Sequence, residues 1–225
     1  MEKCEKKELF ERTFPFWGEL AEADQGYLCE CAHTVRYEGG TTIHDSTECG
    51  GVFLVRRGCL RVYMLSEDGK GITLYRLFAG DMCMLSASCV IQAITFDVFV
   101  DAEEDSECVV IQGPAFARVS EQYASVKIFA LELAVTRFSD VMWVMQQVLF
   151  MSMDKRLAIF LLDEAAKTGS DTIKLTHEQI AKYMGSAREV VSRMLKYFVS
   201  EGMVSASRTE GIRLLDKKRL RGLAL

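Results

Sequence analysis

No stretch of 18 or more uninterrupted apolar residues occurs in the 225 residues. A membrane-spanning helix is therefore not expected. The charged start, 1–12, carries no apolar core of the kind an export signal needs, so the chain is expected in the cytoplasm with no membrane partner. Histidine is scarce, with His33, His44 and His177 the only three. A metalloenzyme barrel takes several histidines and a carboxylate around an open metal position. Only His33 and His44 fall in the strand-rich half, with no His-x-His pair, so a cupin-like metalloenzyme is the disfavoured alternative and no enzyme activity is expected. Cysteine is absent after Cys108, although eight stand up to that point: Cys4, Cys29, Cys31, Cys49, Cys59, Cys83, Cys89 and Cys108. Without an export signal these read as free thiols, mostly small core residues, and not as a disulfide frame.

Apolar content is 49%, enough to bury a real core and too high for disorder. The net charge of −5 is unevenly spread: from Asp154 onward it is +5, and before that −10. An acidic first part joined to a basic tail suggests that the tail meets a polyanion. Two ordinary solvated surfaces would give the same sums, so charge alone does not decide.

Residues 10–31 read as one or two short helices broken at Pro15. From 35 to 112, short runs rich in Val, Ile, Phe, Tyr and Thr alternate with turns at Gly39-Gly40, Gly50-Gly51, Gly58, Asp68-Gly69 and Gly80-Asp81, the texture of a β-sandwich or barrel. Leu60, Val62 and Met64 alternate with Arg61 and Tyr63, as in a half-buried strand. Gly113-Pro114 closes the last strand, 108–111, and a proline suits the first turn of a helix. A long helix is expected over roughly 125–150. Within it Ile128, Leu131, Val135, Phe138, Met142, Met145 and Leu149 are spaced three and four apart, a seven-residue apolar repeat that marks a coiled-coil seam. Leu133, Trp143, Val144 and Val148 add a second apolar side, so one side can meet the parent domain and the other a second copy of the chain. The competing reading is a core helix of a single chain. A further helix is expected over 154–166, a turn over 167–171 and a strand-like lead over 172–175. There is no low-complexity tract and no internal repeat.

The most specific signal runs from Leu175 to Leu195. Thr176 caps a helix with Glu178 in its first turn. Ile180, Ala181 and Met184 form its inner side. Gly185 stands where a tight turn between helices needs positive φ. A second helix starts at Ser186 or Ala187 and buries Val190, Val191, Met194, Leu195 and Phe198. Its other side carries Arg188, Glu189, Ser192 and Arg193 at i, i+1, i+4 and i+5, near the N-terminus, which is the part of a recognition helix that enters the major groove. Arginine can donate two hydrogen bonds to guanine and glutamate can accept one from cytosine. Lys196, one turn on, is placed for phosphate. Residues 203–208 and 211–214 then read as the two strands of a wing, with Arg208 and Arg213 within reach of the backbone. Thr176, His177 and Ser186 complete the candidate DNA-binding set. A regulatory subunit that binds a small molecule but no DNA is the third reading, and the groove-facing arginines oppose it.

At these residues the chain resembles the CRP/FNR family of bacterial transcription regulators, over nearly its whole length. The segment Gly185-x-x-Arg188-Glu189-x-x-Ser192-Arg193 is similar to that family's recognition helix. The run from Phe53 to Tyr63, then Asp68-Gly69, then Leu77-x-x-Gly80-Asp81, resembles its β-roll. The resemblance implies an α+β chain of three parts: a sensory, cyclic-nucleotide-binding-like β-roll (double-stranded, jelly-roll-like) over 1–113, a dimerisation helix over 114–152, and a winged helix-turn-helix over 153–225. It also implies a homodimer on palindromic double-stranded DNA with a TGA core in each half-site, and RNA polymerase as a partner where the regulator activates.

The effector is less legible. By resemblance it is met by Gly80, Asp81, Met82, Cys83, Leu85, Ser86, Ala87, Ser88 and Cys89, with Phe138 and Met142 from the long helix. Cyclic-nucleotide binders of the family hold the phosphate with an arginine followed by Ser or Thr, whereas no arginine occurs between Arg76 and Arg118. A buried phosphate without a fixed cation is poorly compensated, so cAMP is not expected. Cys4 with Cys29-x-Cys31 is a weak iron–sulfur signal, and no spacing singles out His33, His44 or a cysteine as a haem ligand. A thiol switch at Cys83 and Cys89 lacks the local cation that lowers a thiol pKa. The cofactor stays unknown; a small organic or anionic effector other than cAMP, bound between this loop and the Phe138 to Met145 side of the long helix, is the leading expectation, and a haem- or thiol-based sensor is the alternative.

Overall fold

Helix α1 (Lys3–Thr13) stops two residues short of Pro15, because the residue before a proline is pushed out of the helical region. A 3-10 turn (Trp17–Glu19) and α2 (Glu22–Glu30) follow. The computed structural model describes residues 3–44, 51–67, 69, 71–84, 98–207 and 209–225. Of the expected site residues, Leu85, Ser86, Ala87, Ser88, Cys89 and Arg208 lie outside the described residues.

The β-rich part holds β1 (Ala32–Tyr37), β2 (Thr42–His44), β3 (Val52–Arg57), β4 (Leu60–Leu65), β5 (Gly71–Leu77), β6 (Met82–Cys83), β7 (Phe99–Ala102) and β8 (Ser106–Ile111). They form two four-stranded sheets, ordered β1-β8-β3-β6 and β2-β7-β4-β5. In β3 the run Val52-Phe53-Leu54-Val55 is buried throughout. Successive side chains of a strand point to opposite faces. Phe53 and Val55 join Leu60, Val62, Val100, Cys108 and Val110 in one apolar cluster. Val52 and Leu54 join Phe10, Phe14, Trp17, Leu28, Ile111 and Phe116 in another. The second cluster is strongly aromatic, with the rings of Phe10 and Phe14 5.2 Å apart and those of Phe16 and Phe129 also 5.2 Å apart. Each fully buried Phe of this set contributes about 2–3 kcal/mol of transfer free energy.

In β4 the structure corrects the expected alternation. Leu60 and Val62 are buried as expected, but Arg61 (1% exposed) and Tyr63 are buried too, and Met64 is exposed. The reason is a polar cluster around Asp101 of β7. Arg61 pairs with Asp101 at 3.4 Å, Tyr63 donates to the same carboxylate at 3.0 Å, and Thr42 donates to it as well. The Arg61 guanidinium lies 4.0 Å from the Tyr63 ring centroid, and Tyr63 stacks on Phe99. A buried charge is tolerated when it is paired in this way.

The long helix expected over 125–150 is present as α4, but the span 114–152, taken as one dimerisation helix, is two. Pro114 opens α3 (Gly113–Gln122), and extended backbone at Tyr123 separates it from α4 (Ala124–Phe150). The break has a tertiary cause. Phe116 and Val119 of α3 are core residues, and the Tyr123 hydroxyl donates to Asp24 at 2.8 Å while accepting from the Ala21 amide.

The C-terminal part holds α5 (Met153–Thr168), β9 (Thr172–Ile173), α6 (His177–Met184), α7 (Arg188–Ser200), β10 (Val204–Ser207), β11 (Gly211–Leu214) and α8 (Lys217–Ala224). The strands form a small sheet ordered β10-β11-β9. Leu157, Leu161, Ile180, Val191, Leu195, Phe198, Ile212 and Leu220 make its core. Helix α8 was not expected from the sequence. Asp216 caps it by accepting from the Arg219 amide, and Leu220 anchors it. By compactness the chain divides into two units, 1–65 with 74–141, and 66–73 with 142–225.

Candidate DNA interface and sensor residues

The two helices α6 and α7 are set by local chemistry. Thr176 and Gln179 form a reciprocal capping box: Thr176 Oγ1 accepts from the Gln179 amide at 3.1 Å, and Gln179 Oε1 accepts from the Thr176 amide at 2.8 Å. The sequence reading assigned the acidic help to Glu178 and missed Gln179. Gly185 ends α6 at φ 58°, ψ 45°, the left-handed turn expected of it. Ala187 then precedes α7. Arg156 of α5 donates to the Met184 carbonyl at the end of α6, which satisfies one of the free carbonyls of that helix end.

The inner side of α7 buries Val191, Leu195 and Phe198, with Val190 and Met194 half-buried. Arg188, Glu189, Arg193 and Lys196 are exposed and make no ion pair among the described residues. With Ser192 they span an arc of about 140° at 100° per residue. Ser192 is half-buried and bonded to His177: its Oγ lies 2.8 Å from the His177 Nδ1, bridging α6 and α7. Partial burial, and then the charge of Arg188, lower the His177 pKa from its usual value, so the neutral ring is favoured. Ser186 is half-buried, with its hydroxyl 3.8 Å from the Met153 sulfur. Of the expected nine, then, Arg188, Glu189, Arg193 and Lys196 stand free on the surface, Thr176 serves as a cap, and His177, Ser192 and Ser186 are engaged inside the domain. On the wing, Arg213 is exposed on β11 opposite Ser205 of β10. The turn into β11 requires glycine at Gly211, where φ is 88° and a Cβ would sit 2.5 Å from the Ile173 carbonyl oxygen.

Helix α4 carries its apolar residues on two sides. Val126 and Ala130 are buried, and Phe129, Leu133 and Val141 pack against the sheet and aromatic cores. Ile128, Leu131, Val135, Phe138, Met142, Met145 and Leu149 are all exposed, from 44% at Met142 to 64% at Val135 and Phe138.

Around the expected effector segment, the Gly80-Asp81 turn is tied to β3. The Gly80 amide donates to Val55 O at 2.8 Å, and Val55 N donates to Asp81 O at 3.0 Å. The Asp81 carboxylate accepts from the Phe78 amide. Met82 and Cys83 are buried in β6. Phe138 and Met142, expected here, instead lie on the exposed side of α4. The α4 residue turned toward this segment is Arg137. Its guanidinium lies 4.9 Å from the Tyr75 ring centroid, and it donates to Met82 O at 3.3 Å. Among the thiols, burial pushes Cys59 and Cys108 up to about 12, Glu103 and Glu107 respectively adding to the rise, while Arg76 opposes it at Cys59. Cys4 is exposed. Among the described residues no three His, Cys, Asp or Glu side chains converge as metal ligands would. No helix among them is long and apolar enough to cross a membrane.

A sheet domain, a long helix and a winged helix-turn-helix whose exposed charges make no ion pair among the described residues mark a DNA-binding regulator. Comparison with known proteins agrees. The cyclic nucleotide-binding domain model matches residues 34–123, and the Crp-like helix-turn-helix domain model matches 155–223. The transcriptional regulatory protein Btr of Bordetella pertussis is 31% identical over 200 residues, covering 84% of this chain and 80% of that one. The cAMP-activated global transcriptional regulator CRP of Pasteurella multocida is 24% identical, covering 80% of this chain and 88% of that one. A solved CRP/FNR-family structure from Eubacterium rectale is 44% identical, with a TM-score of 0.88 over 95% of this chain and 99% of that one. The chain belongs to the CRP/FNR family and is a transcription regulator of that type.

Proposed function

We propose that this regulator acts as a homodimer through the α4 seam and reads an inverted repeat with a TGA core in each half-site. A small effector other than cAMP gates it from the β-roll. The observation that carries the reading is the pairing of two features. Seven large apolar side chains recur at heptad spacing on α4 and, among the described residues, stay 44–64% exposed. The recognition side of α7, in turn, leaves Arg188, Glu189, Arg193 and Lys196 free. A two-fold dimer places two such helices about one turn of DNA apart, roughly 10 bp between half-site centres. In this reading Arg193 donates to guanine, Glu189 accepts from a base amino group and Lys196 meets phosphate. RNA polymerase is the further partner where the regulator activates. The domain limits of 1–113, 114–152 and 153–225 are part of the proposal, as is action in the cytoplasm. The test is selection of DNA by the purified protein with light scattering on the same sample. Enriched inverted repeats bound by a species of twice the chain mass support it; enrichment of single half-sites by a monomer overturns it.

A further inference from the structure

Two buried donors stand side by side between α4 and the sheet without an acceptor. The Arg137 side chain is 13% exposed. Its Nη1 donates to Asp140 at 3.1 Å and its Nη2 to Met82 O at 3.3 Å, while Asp81 Oδ1 lies 4.0 Å from Nη2. The Nη edge of the guanidinium is thus supplied. Its Nε is buried and has no hydrogen-bond partner, and the same holds for the Tyr75 hydroxyl, on the ring that faces this guanidinium. Among the described residues the groups that act on the hydroxyl are the Cys83 thiol, a weak partner, with Arg137 and Asp140. Burial holds the Tyr75 phenol well above its ordinary pKa, with Cys83 adding and Arg137 opposing, so it stays a protonated donor.

Leaving a buried donor unmet costs about 1–3 kcal/mol, more when it is charged. Two such donors on touching side chains therefore point to a common acceptor. Asp81 and Asp140 do not serve: both lie on the Nη edge and are 42% and 40% exposed. We propose that Arg137 and Tyr75 form an oxyanion-binding site of the sensory unit, and that the effector is a small organic acid whose carboxylate accepts from Arg137 Nε–H and the Tyr75 hydroxyl. The two oxygens of a carboxylate match two donors on adjacent groups. Tyr75 belongs to the apolar cluster with Phe53, Leu77 and Cys83, against which Val141 of α4 packs, so the rest of the ligand is apolar. The missing phosphate-holding arginine of the 80–95 loop agrees: here the cation comes from the helix.

This inference rests on the effector-gated reading, and one set of preparations separates the two. The full-length protein, Arg137→Gln and Tyr75→Phe are titrated by calorimetry with sodium benzoate, sodium acetate and inorganic phosphate at constant ionic strength, and each is assayed for DNA binding. Benzoate is expected to bind the wild type most tightly of the three. It should bind Arg137→Gln about tenfold more weakly, the loss of one charge-assisted contact, and Tyr75→Phe several-fold more weakly. If none of the three anions binds the wild type, or if benzoate binds both variants as it binds the wild type, the oxyanion site is wrong and the donors are met by buried water. DNA binding with no anion binding sinks this inference alone. Benzoate binding without DNA binding leaves the site standing and sinks the regulator reading.

Discussion

Replacing Phe138 and Met142 together by glutamate should convert the proposed dimer into monomers. Phe138 is 64% exposed in the single chain and Met142 44%. Fully burying either side chain stabilises by about 1.5–3 kcal/mol. Scaling by the exposed fraction leaves about 1.5 kcal/mol for Phe138 and about 1 kcal/mol for Met142, which only a partner can supply. An isologous interface uses each residue twice, so the pair accounts for about 5 kcal/mol per dimer, or three to four orders of magnitude in Kd at about 1.4 kcal/mol per decade. Glutamates facing their own copies add repulsion. Sedimentation equilibrium over nanomolar to high micromolar concentration reads the constant directly. Thr136→Glu is the control, since Thr136 is exposed on a side of α4 about 135° from the seam, and it should leave the dimer intact. Circular dichroism of all three proteins guards against simple unfolding. A double variant that dimerises within about tenfold of the wild type would show that α4 meets something other than its own copy.

On DNA, Arg193→Ala should cost about 1–3 kcal/mol per half-site and relax the preference at one guanine, whereas Lys196→Ala should weaken all sequences alike and flatten the salt dependence. Single-base variants measured at two salt concentrations separate these, and an equal loss for every variant with Arg193→Ala would make that residue a phosphate contact. Thr176→Ala removes half of the capping box and should cost about 1 kcal/mol in urea unfolding; no change would mean that the tertiary core alone fixes α6. His177 has a lowered pKa in the fold, so the unfolded chain takes up its proton first. The resulting stability is full above the unfolded value of about 6.5 and is lost as pH falls from there through the lower folded value. His177→Gln should therefore unfold with a shallower pH dependence between pH 7.5 and 5.5, and parallel profiles would remove His177 as the cause. With iodoacetamide at pH 8, peptide mapping should find Cys4 modified quickly and Cys59 and Cys108 untouched until unfolding; similar rates would contradict their burial.

The parts of this molecule that could be read from its sequence are those whose causes lie within a few residues of each other. The heptad of α4 is one, because helix geometry alone puts Ile128 to Leu149 on one side. The α6–turn–α7 unit is another, since Gly185 and the periodic burial of Val191, Leu195 and Phe198 are local. Helix α8 was equally legible, with Asp216 as cap and Leu220 and Leu223 three apart, and was overlooked. The run Val52–Val55 was not legible in the same way: an unbroken apolar strand says that both faces are covered, but not by what. Arg61 reads as an outward residue until Asp101, 40 positions on, is brought against it. Tyr123 reads as helix until Asp24, 99 positions back, takes its hydroxyl.

The same division separates the two ends of the function. The exposed side of α7 proposed to meet DNA is a property of one helix, so naming Arg188, Glu189 and Arg193 required only its phase. A sensor site in a β-roll is assembled from strands and a helix far apart in the chain. Tyr75 and Arg137 face each other only after two sheets have closed and α4 has packed on them. Family resemblance had pointed to the loop after Gly80 and to Phe138 and Met142, whose periodicity belongs to the proposed seam. One residue along the helix, about 100° of rotation, turns Arg137 to the opposite surroundings: in from the exposed side to the Met82 carbonyl and the Tyr75 ring. An apolar residue at 138 and a charged one at 137 would ordinarily be read as inside and outside. Here the phase is reversed: the apolar side is left exposed, as the proposed dimer requires, and the charge finds the Met82 carbonyl of β6.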